Sequence, residues 1–224
     1  TGPLGQGIST AVGMALAERM MNARFGDDLV DHFTYVLASD GDLMEGISHE
    51  AISIAGHMKL ARLIVLYDDN NITIDGSLDL AESGDALARF EAAGWTAVRI
   101  DGHDFDAIED AIAAAQNSDK PSLIACRTVI GYGAPNKQGT SGVHGAPLGD
   151  DEIGLTREML GWDAPAVEIP AELRDAWRMA GRAHASARKA WEQRLAEQSV
   201  ETRNRFERVT AGNLPSGLDS AVDS

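Results

Sequence analysis

The sequence predicts an α/β protein: a doubly wound parallel sheet with flanking helices, truncated at its N-terminal side and followed by a helical extension. Three observations carry that expectation. Short apolar, β-type runs alternate with helical stretches over most of the first 150 residues, a rhythm that lays strands parallel and puts helices on both faces. Two of those runs, residues 35–38 and 63–67, end in polar groups, Ser39-Asp40-Gly41 and Asp68-Asp69-Asn70-Asn71. A right-handed crossover between them brings both carboxyl ends to one edge of the sheet, where ligands of open α/β folds bind.

The elements follow in order. Thr1-Gly2-Pro3-Leu4-Gly5-Gln6-Gly7 places three glycines in seven residues ahead of a helix, and glycine permits close backbone approach to a ligand. Ile8, Val12, Leu16 and Met20, four apart, predict one buried stripe ending near Gly26. After the strand 35–38, Ile47, Ala51, Ile54 and Met58 mark a helix, and 63–67 the next strand. Residues 85–93 read as a helix stopped by Gly94, 96–100 as a strand, 105–116 as a helix and 121–128 as a strand. A loop rich in glycine and proline occupies 129–150. Loops beyond about 12–15 residues are usually functional or disordered, and this one starts at a strand's carboxyl end. Beyond it lie a short helix (151–160), a connector, one long alanine-rich helix (171–196) and a last helix (200–211). The expected organisation is an α/β ligand-binding domain over 1–150, its helical extension over 151–211, and a linker over 212–224.

The two strand ends have a narrow chemistry. Asp40 offers a carboxylate, and Gly41 lets the backbone turn into a helix whose first amides favour an anion, most often phosphate. Asn70 offers an amide oxygen, and a backbone carbonyl just beyond it a third. Carboxylate, amide and carbonyl oxygens, completed by phosphate and water, suit Mg2+ at roughly 2.0–2.1 Å. The expectation is a metal-bridged diphosphate held between two strand ends. An isolated Asp-Gly also marks ordinary turns. An EF-hand is excluded, because acidic residues at alternate positions and a closing glutamate are missing.

Composition narrows the partners. Nineteen basic against thirty-five acidic residues give a net charge of −16, which argues against nucleic acid or an anionic membrane surface. A divalent cation would offset that charge locally for a diphosphate ligand. Cys126 is the only cysteine, so no internal disulfide is possible and a reducing cytoplasm is expected. No apolar run approaches the length of a membrane span. The chain opens on Thr1, already inside a motif, which reads as a piece of a longer chain.

Ser39-Asp40-Gly41, closed by Asn70 after the next strand, resembles the thiamine diphosphate motif, a GDG triplet followed by an asparagine pair. The flanks TGPLGQGIS, LMEGISHEA, YDDNNITIDG, IGYGAPNKQGT and HGAPLG resemble the transketolase family, in its bacterial form. Ser39 departs from the family glycine and is expected to crowd the cofactor edge slightly.

The resemblance implies thiamine diphosphate and Mg2+ as cofactors, with Ca2+ or Mn2+ as possible substitutes. It implies transfer of a two-carbon ketol unit from a phosphorylated ketose to an aldose, as in the pentose phosphate pathway and the Calvin cycle. Asp40, Asn70 and the Ile72 carbonyl would ligate the metal. Gly2, Pro3, Leu4, Gly41, Asn70, Ile74, Ile130 and His144 would bind the cofactor. His144 would also touch the donor sugar, which makes it the catalytic and substrate-binding residue. Glu45 would lie near a dimer interface, and His49 and His57 on a helix surface or interface. His103 is given no role. Partners are sugar phosphates and, in the full-length protein, a second copy that supplies a glutamate from the next domain. The isolated chain is therefore expected to be inactive. The alternatives are another thiamine diphosphate enzyme, of dihydroxyacetone synthase or deoxyxylulose-phosphate synthase type, or a non-catalytic dimerisation module. Gly2 to Gly7 and His144 disfavour the synthase for deoxyxylulose phosphate. Asp40, Asn70 and His144 together disfavour the module.

Overall fold

A computed structural model describes residues 2–215 and 217–218. The end of the expected linker, like Thr1, lies outside them. Two compact units divide the chain: residues up to Ala17 with His32–Asp163, and Glu18–Asp31 with the residues from Ala164 on.

The first unit is built on a parallel sheet. Its strands are β1 (Thr34–Ser39), β2 (Leu63–Asp69), β5 (Thr96–Asp101) and β6 (Ser122–Arg127), in the order β1-β2-β6-β5. Between β2 and β5 the short pair β3 (Ile72–Thr73) and β4 (Gly76–Ser77) forms a hairpin. Register sets the ligand edge. Ser39 lies level with Asp68, Asp69 with Arg127, and Arg127 with Asp101, so all four carboxyl ends finish together.

Side chains alternate across a strand, and β2 fills two cores. Leu63, Val65 and Tyr67 pack on one face with Ile8, Val12, Ala51, Ile52 and Phe90, while Ile64 packs on the other with Ile124 and Ala115. The helices sort accordingly. α1 (Gln6–Phe25) through its first turns, α3 (Gly46–His57) and α4 (Ala86–Ala92) supply the first core, and α5 (Phe105–Gln116) the second. Asp85 and Asp104 cap α4 and α5, each accepting from two backbone N–H groups. This is the doubly wound architecture the alternation predicts.

Two expectations are corrected in detail, and the inward face of α3 is added. The buried face of α3 is Ser48, Ala51, Ile52, Ala55 and Gly56, with Ile47 and Ile54 exposed. Close approach fixes that face: a Cβ on Gly56 would stand 1.8 Å from the Ala93 carbonyl oxygen, so Gly56 and the alanines turn inward together with Ile52. The stripe of α1 runs through Ile8, Ala11, Val12 and Ala15, and Met20 is exposed. The long helix over 171–196 is two, α7 (Ala171–Arg182) and α8 (Ala185–Glu197). The break follows Gly181, and glycine inside a helix costs about 1 kcal/mol relative to alanine.

A short α2 (Asp40–Met44) precedes α3, and α6 (Asp150–Met159) follows the long loop. In the second unit, Phe206 of α9 (Val200–Thr210) is buried with Leu29 and Val30, among Phe25, Trp191 and Leu195. The Trp191 indole N–H donates to the Leu29 carbonyl at 2.9 Å. Among the described residues no helix is long and apolar enough to cross a membrane.

Candidate functional site

The corner after β1 is tied by Asp42. Its Oδ2 accepts from the Ser39 backbone N–H at 3.0 Å and the Ser39 hydroxyl at 2.8 Å. Its Oδ1 accepts from the Gly5 N–H at 3.0 Å, which binds the glycine-rich opening segment to the strand end. Burial pushes the Asp42 carboxyl up, but these bonds from Gly5 and Ser39 outweigh it and leave the group below its usual value. Ser39 therefore serves the turn through its hydroxyl. Gly5 has φ +75°, and a Cβ there would meet Glu45 Cβ at 2.8 Å. A Cβ on Gly41 would meet the Leu4 side chain at 3.1 Å. Gly41 and Leu4 are thus neighbours. Gly2, Pro3 and Leu4 are exposed and Gly41 half-buried.

Asp40 is the first residue of α2 and only 4% exposed. Its two oxygens differ. Oδ1 accepts a hydrogen bond from the Tyr67 hydroxyl, whereas Oδ2 is buried without any protein partner. Burial raises the Asp40 carboxyl above its usual value, with Asp69 and Asp68 acting in the same sense and the Tyr67 hydroxyl and Asn71 backbone opposing. Burial and the bond to Asp40 raise the Tyr67 phenol, which stays a donor.

At the end of β2 the two aspartates part company. Asp69 is buried and paired with Arg99 at 2.9 Å and Arg127 at 3.0 Å. Asp68 is exposed and accepts from the Thr128 hydroxyl and, at 3.0 Å, the Asn70 amide. The Asn70 amide oxygen accepts from the Ile72 N–H at 2.9 Å and keeps a second lone pair. Asn71, with φ +62°, swings the chain into the β3–β4 hairpin. Ile72 is half-buried at its base, and Ile74 at its tip is 70% exposed. A cavity of about 790 Å³ opens beside Asn70 and Ile72, lined also by Arg99, Arg127 and Val129.

These donors fit a small divalent cation. An orphaned buried carboxylate oxygen cannot be left without a partner cheaply, and a hard cation held there would satisfy it. Among the described residues no three histidine, cysteine or acidic side chains gather as a metal cage. A metal here needs phosphate and water to complete its shell, which is the habit of Mg2+.

The long loop is ordered by its own bonds. Lys137 donates to the Leu148 carbonyl at 2.6 Å, and Asn136 bonds Glu152 through its backbone at 2.8 Å and its side chain at 3.0 Å. His103 finds a role here: its Nε2 accepts from the Val129 N–H at 3.0 Å and its ring stacks on Tyr132 at 4.2 Å. Ile130 is half-buried, its carbonyl accepting from the Gly139 N–H at 2.8 Å. His144 is exposed and follows a 3-10 turn at Ser141–Val143. Among the described residues no hydrogen bond joins it to Asp40 or Asn70. His49 and His57 are exposed on α3, and Glu45 is exposed between α2 and α3.

The structure therefore gathers Asp40, Gly41, Leu4, Asn70 and Ile72 at the sheet edge and leaves Ile74 and His144 open. Sequence reasoning missed Tyr67, Asp42, His103 and the arginine pair. Asp42 was visible as the serine-x-x-acid spacing of a capping box. Tyr67 shares a face with Leu63 and Val65, which hid its polar tip among core positions.

Residues 1–215 match the family described as "Transketolase, thiamine diphosphate binding domain". A transketolase of Cereibacter sphaeroides is 62% identical over 222 residues, covering 99% of this chain and 33% of that protein. A structure of transketolase from Leishmania mexicana superposes with a TM-score of 0.92 at 40% identity, over 97% of this chain and 34% of that one. A Pichia stipitis transketolase in complex with sedoheptulose-7-phosphate superposes with a TM-score of 0.92 at 38% identity, over 99% and 34%. The chain spans about a third of the length of the relatives it matches.

Proposed function

The chain belongs to the thiamine diphosphate-binding domain family of transketolases, and from that premise we propose that it holds thiamine diphosphate through Mg2+ for ketol transfer between sugar phosphates. The observation that carries this reading is the asymmetric Asp40 carboxylate, buried at a strand end with one oxygen tied by Tyr67 and the other unpartnered. Asp40 Oδ2, the Asn70 amide oxygen and the Ile72 carbonyl hold the metal. Gly41 and the Gly2-Pro3-Leu4 backbone leave room for the diphosphate, and the side chains of Leu4, Ile74 and Ile130 flank the rings.

When bound, thiamine diphosphate supplies the electron sink on which a two-carbon unit passes from ketose to aldose. His144 presents hydrogen-bonding nitrogens to the diphosphate and the donor sugar from a loop held in place by Lys137, Asn136 and Glu152. A related enzyme's complex with sedoheptulose-7-phosphate supports phosphorylated ketoses as the substrate class. A homodimer in the cytoplasm completes the proposal, with Ca2+ or Mn2+ as substitutes for Mg2+.

Calorimetric titration of thiamine diphosphate into the full-length protein tests it. Binding should require a divalent cation and vanish in Asp40→Ala. Metal-independent binding, or unchanged affinity in Asp40→Ala, would remove the site assignment.

A further inference from the structure

We propose that Tyr67 determines which divalent cation the site accepts, by restricting Asp40 to coordination through a single oxygen. The inference rests on the metal reading above and extends it to a residue that is not a ligand.

Tyr67 lies on β2 level with Ala38 of β1, two residues before Asp40. It is buried, and its hydroxyl reaches across the strand ends to donate to Asp40 Oδ1. That bond occupies one carboxylate oxygen and fixes the rotation of the group. The free, buried Oδ2 is the atom a cation meets. With one oxygen each from Asp40, Asn70 and Ile72, the protein offers three ligands, and phosphate oxygens and water complete an octahedron.

Mg2+ demands that octahedron, whereas Ca2+ accepts six to eight oxygens and takes carboxylates through one or both. Removing the phenol hydroxyl frees Oδ1 for a second contact. For Ca2+ the new contact offsets the lost orientation of the carboxylate. For Mg2+ nothing does, since its octahedron has no room for a seventh oxygen. Tyr67 is thus a positioning residue whose effect differs between two cations of equal charge.

The test measures thiamine diphosphate affinity calorimetrically for the full-length apoprotein and for Tyr67→Phe, with saturating Mg2+ or Ca2+. A hydrogen bond that orients a metal ligand is typically worth about 10–100-fold in metal affinity. Affinity with Mg2+ should fall about tenfold in Tyr67→Phe and affinity with Ca2+ much less, shifting the ratio about tenfold toward Ca2+. A merely structural role lowers both alike, so an unchanged ratio overturns the inference. If Tyr67→Phe does not fold, the crystal structure of the unaltered protein with Ca2+ and cofactor decides. One Asp40 oxygen within about 2.6 Å of the metal supports the inference, and two overturn it. Absence of any cation-dependent binding in the unaltered protein overturns the functional reading, and this inference with it. That outcome is distinct from normal binding with an unshifted ratio.

Discussion

Three aspartates within thirty residues, Asp40, Asp68 and Asp69, carry the same charge and do three different things. Asp40 keeps an oxygen free in a buried corner, Asp69 neutralises Arg99 and Arg127, and Asp68 is exposed. Substitution to alanine should separate them. Asp40→Ala should abolish cation-dependent cofactor binding while changing the apoprotein's melting temperature little, since the gain from removing an unpaired buried oxygen is offset by leaving the buried Tyr67 hydroxyl without its acceptor. Asp69→Ala should cost about 2 kcal/mol of stability, because both arginines are half-exposed and can turn to water instead of staying buried as unpaired charges. Asp68→Ala should do little to either. Thermal melting with cofactor titration of all three variants distinguishes these roles, and a loss of binding in Asp68→Ala equal to that in Asp40→Ala would contradict them. His144 belongs to the same scale. Its ring is exposed, so His144→Ala in the full-length enzyme should leave folding intact and lower turnover by about 10²–10⁴-fold, the range of a proton-transferring group. Steady-state kinetics beside cofactor titration would show whether turnover falls more than affinity.

Between residue and fold stands the turn that aims Asp40. The Asp42 carboxylate accepts from Ser39 and Gly5 and so joins β1, α2 and the opening glycine segment. Asp42→Ala should cost about 2 kcal/mol, the worth of hydrogen bonds to a charged group. The carboxyl is held below its ordinary value, so this stabilisation is complete above the unfolded-state value of about 3.9. It fades as pH falls through the lower folded value. Melting curves of both proteins from neutral to acid pH should therefore converge at the acid end, and a constant gap would show that charge is not the cause. The packing of α3 follows from contact as well. Gly56→Ala should be destabilising by about 3 kcal/mol or more, because its Cβ would strike the Ala93 carbonyl rather than a flexible side chain. Element type and order were legible because period and punctuation are local: Asp85, Asp104, Gly26 and Gly94 mark helix ends without reference to the fold. Which face of α3 turns inward was not, since the exposed Ile47 and Ile54 are as large and apolar as the buried Ile52. Only the proximity of Ala93 decides it. The same holds for Tyr67 and His103, whose partners are distant in sequence or invisible until the strands are in register.

For the whole molecule, the distribution of burial over the candidate site matters more than any single contact. The corner proposed to hold the metal is enclosed: Asp40, Asp69 and Tyr67 are buried. The parts proposed to flank the cofactor rings and the sugar are not, with Ile74 70% exposed, Leu4 42% exposed and His144 at the surface. On the sheet, β1 is an edge strand with Leu37 81% exposed. A two-carbon transfer needs water kept from the reacting carbon, because an exposed reactive group is quenched by protonation or hydrolysis. The described residues provide that exclusion around the proposed metal corner and not around the positions proposed for the rings. We therefore expect the 224-residue chain alone to bind thiamine diphosphate weakly, in a cation-dependent manner, and to show no measurable ketol transfer. A coupled assay on the purified chain with saturating cofactor and Mg2+ checks this, with Asp40→Ala as the control. Turnover that disappears in Asp40→Ala would show that these residues build a complete active site, and that Ile74, Leu4 and His144 close over the substrate when it binds. Cation-dependent binding without turnover would place the chain's contribution where its buried groups are, in the anchoring of the diphosphate.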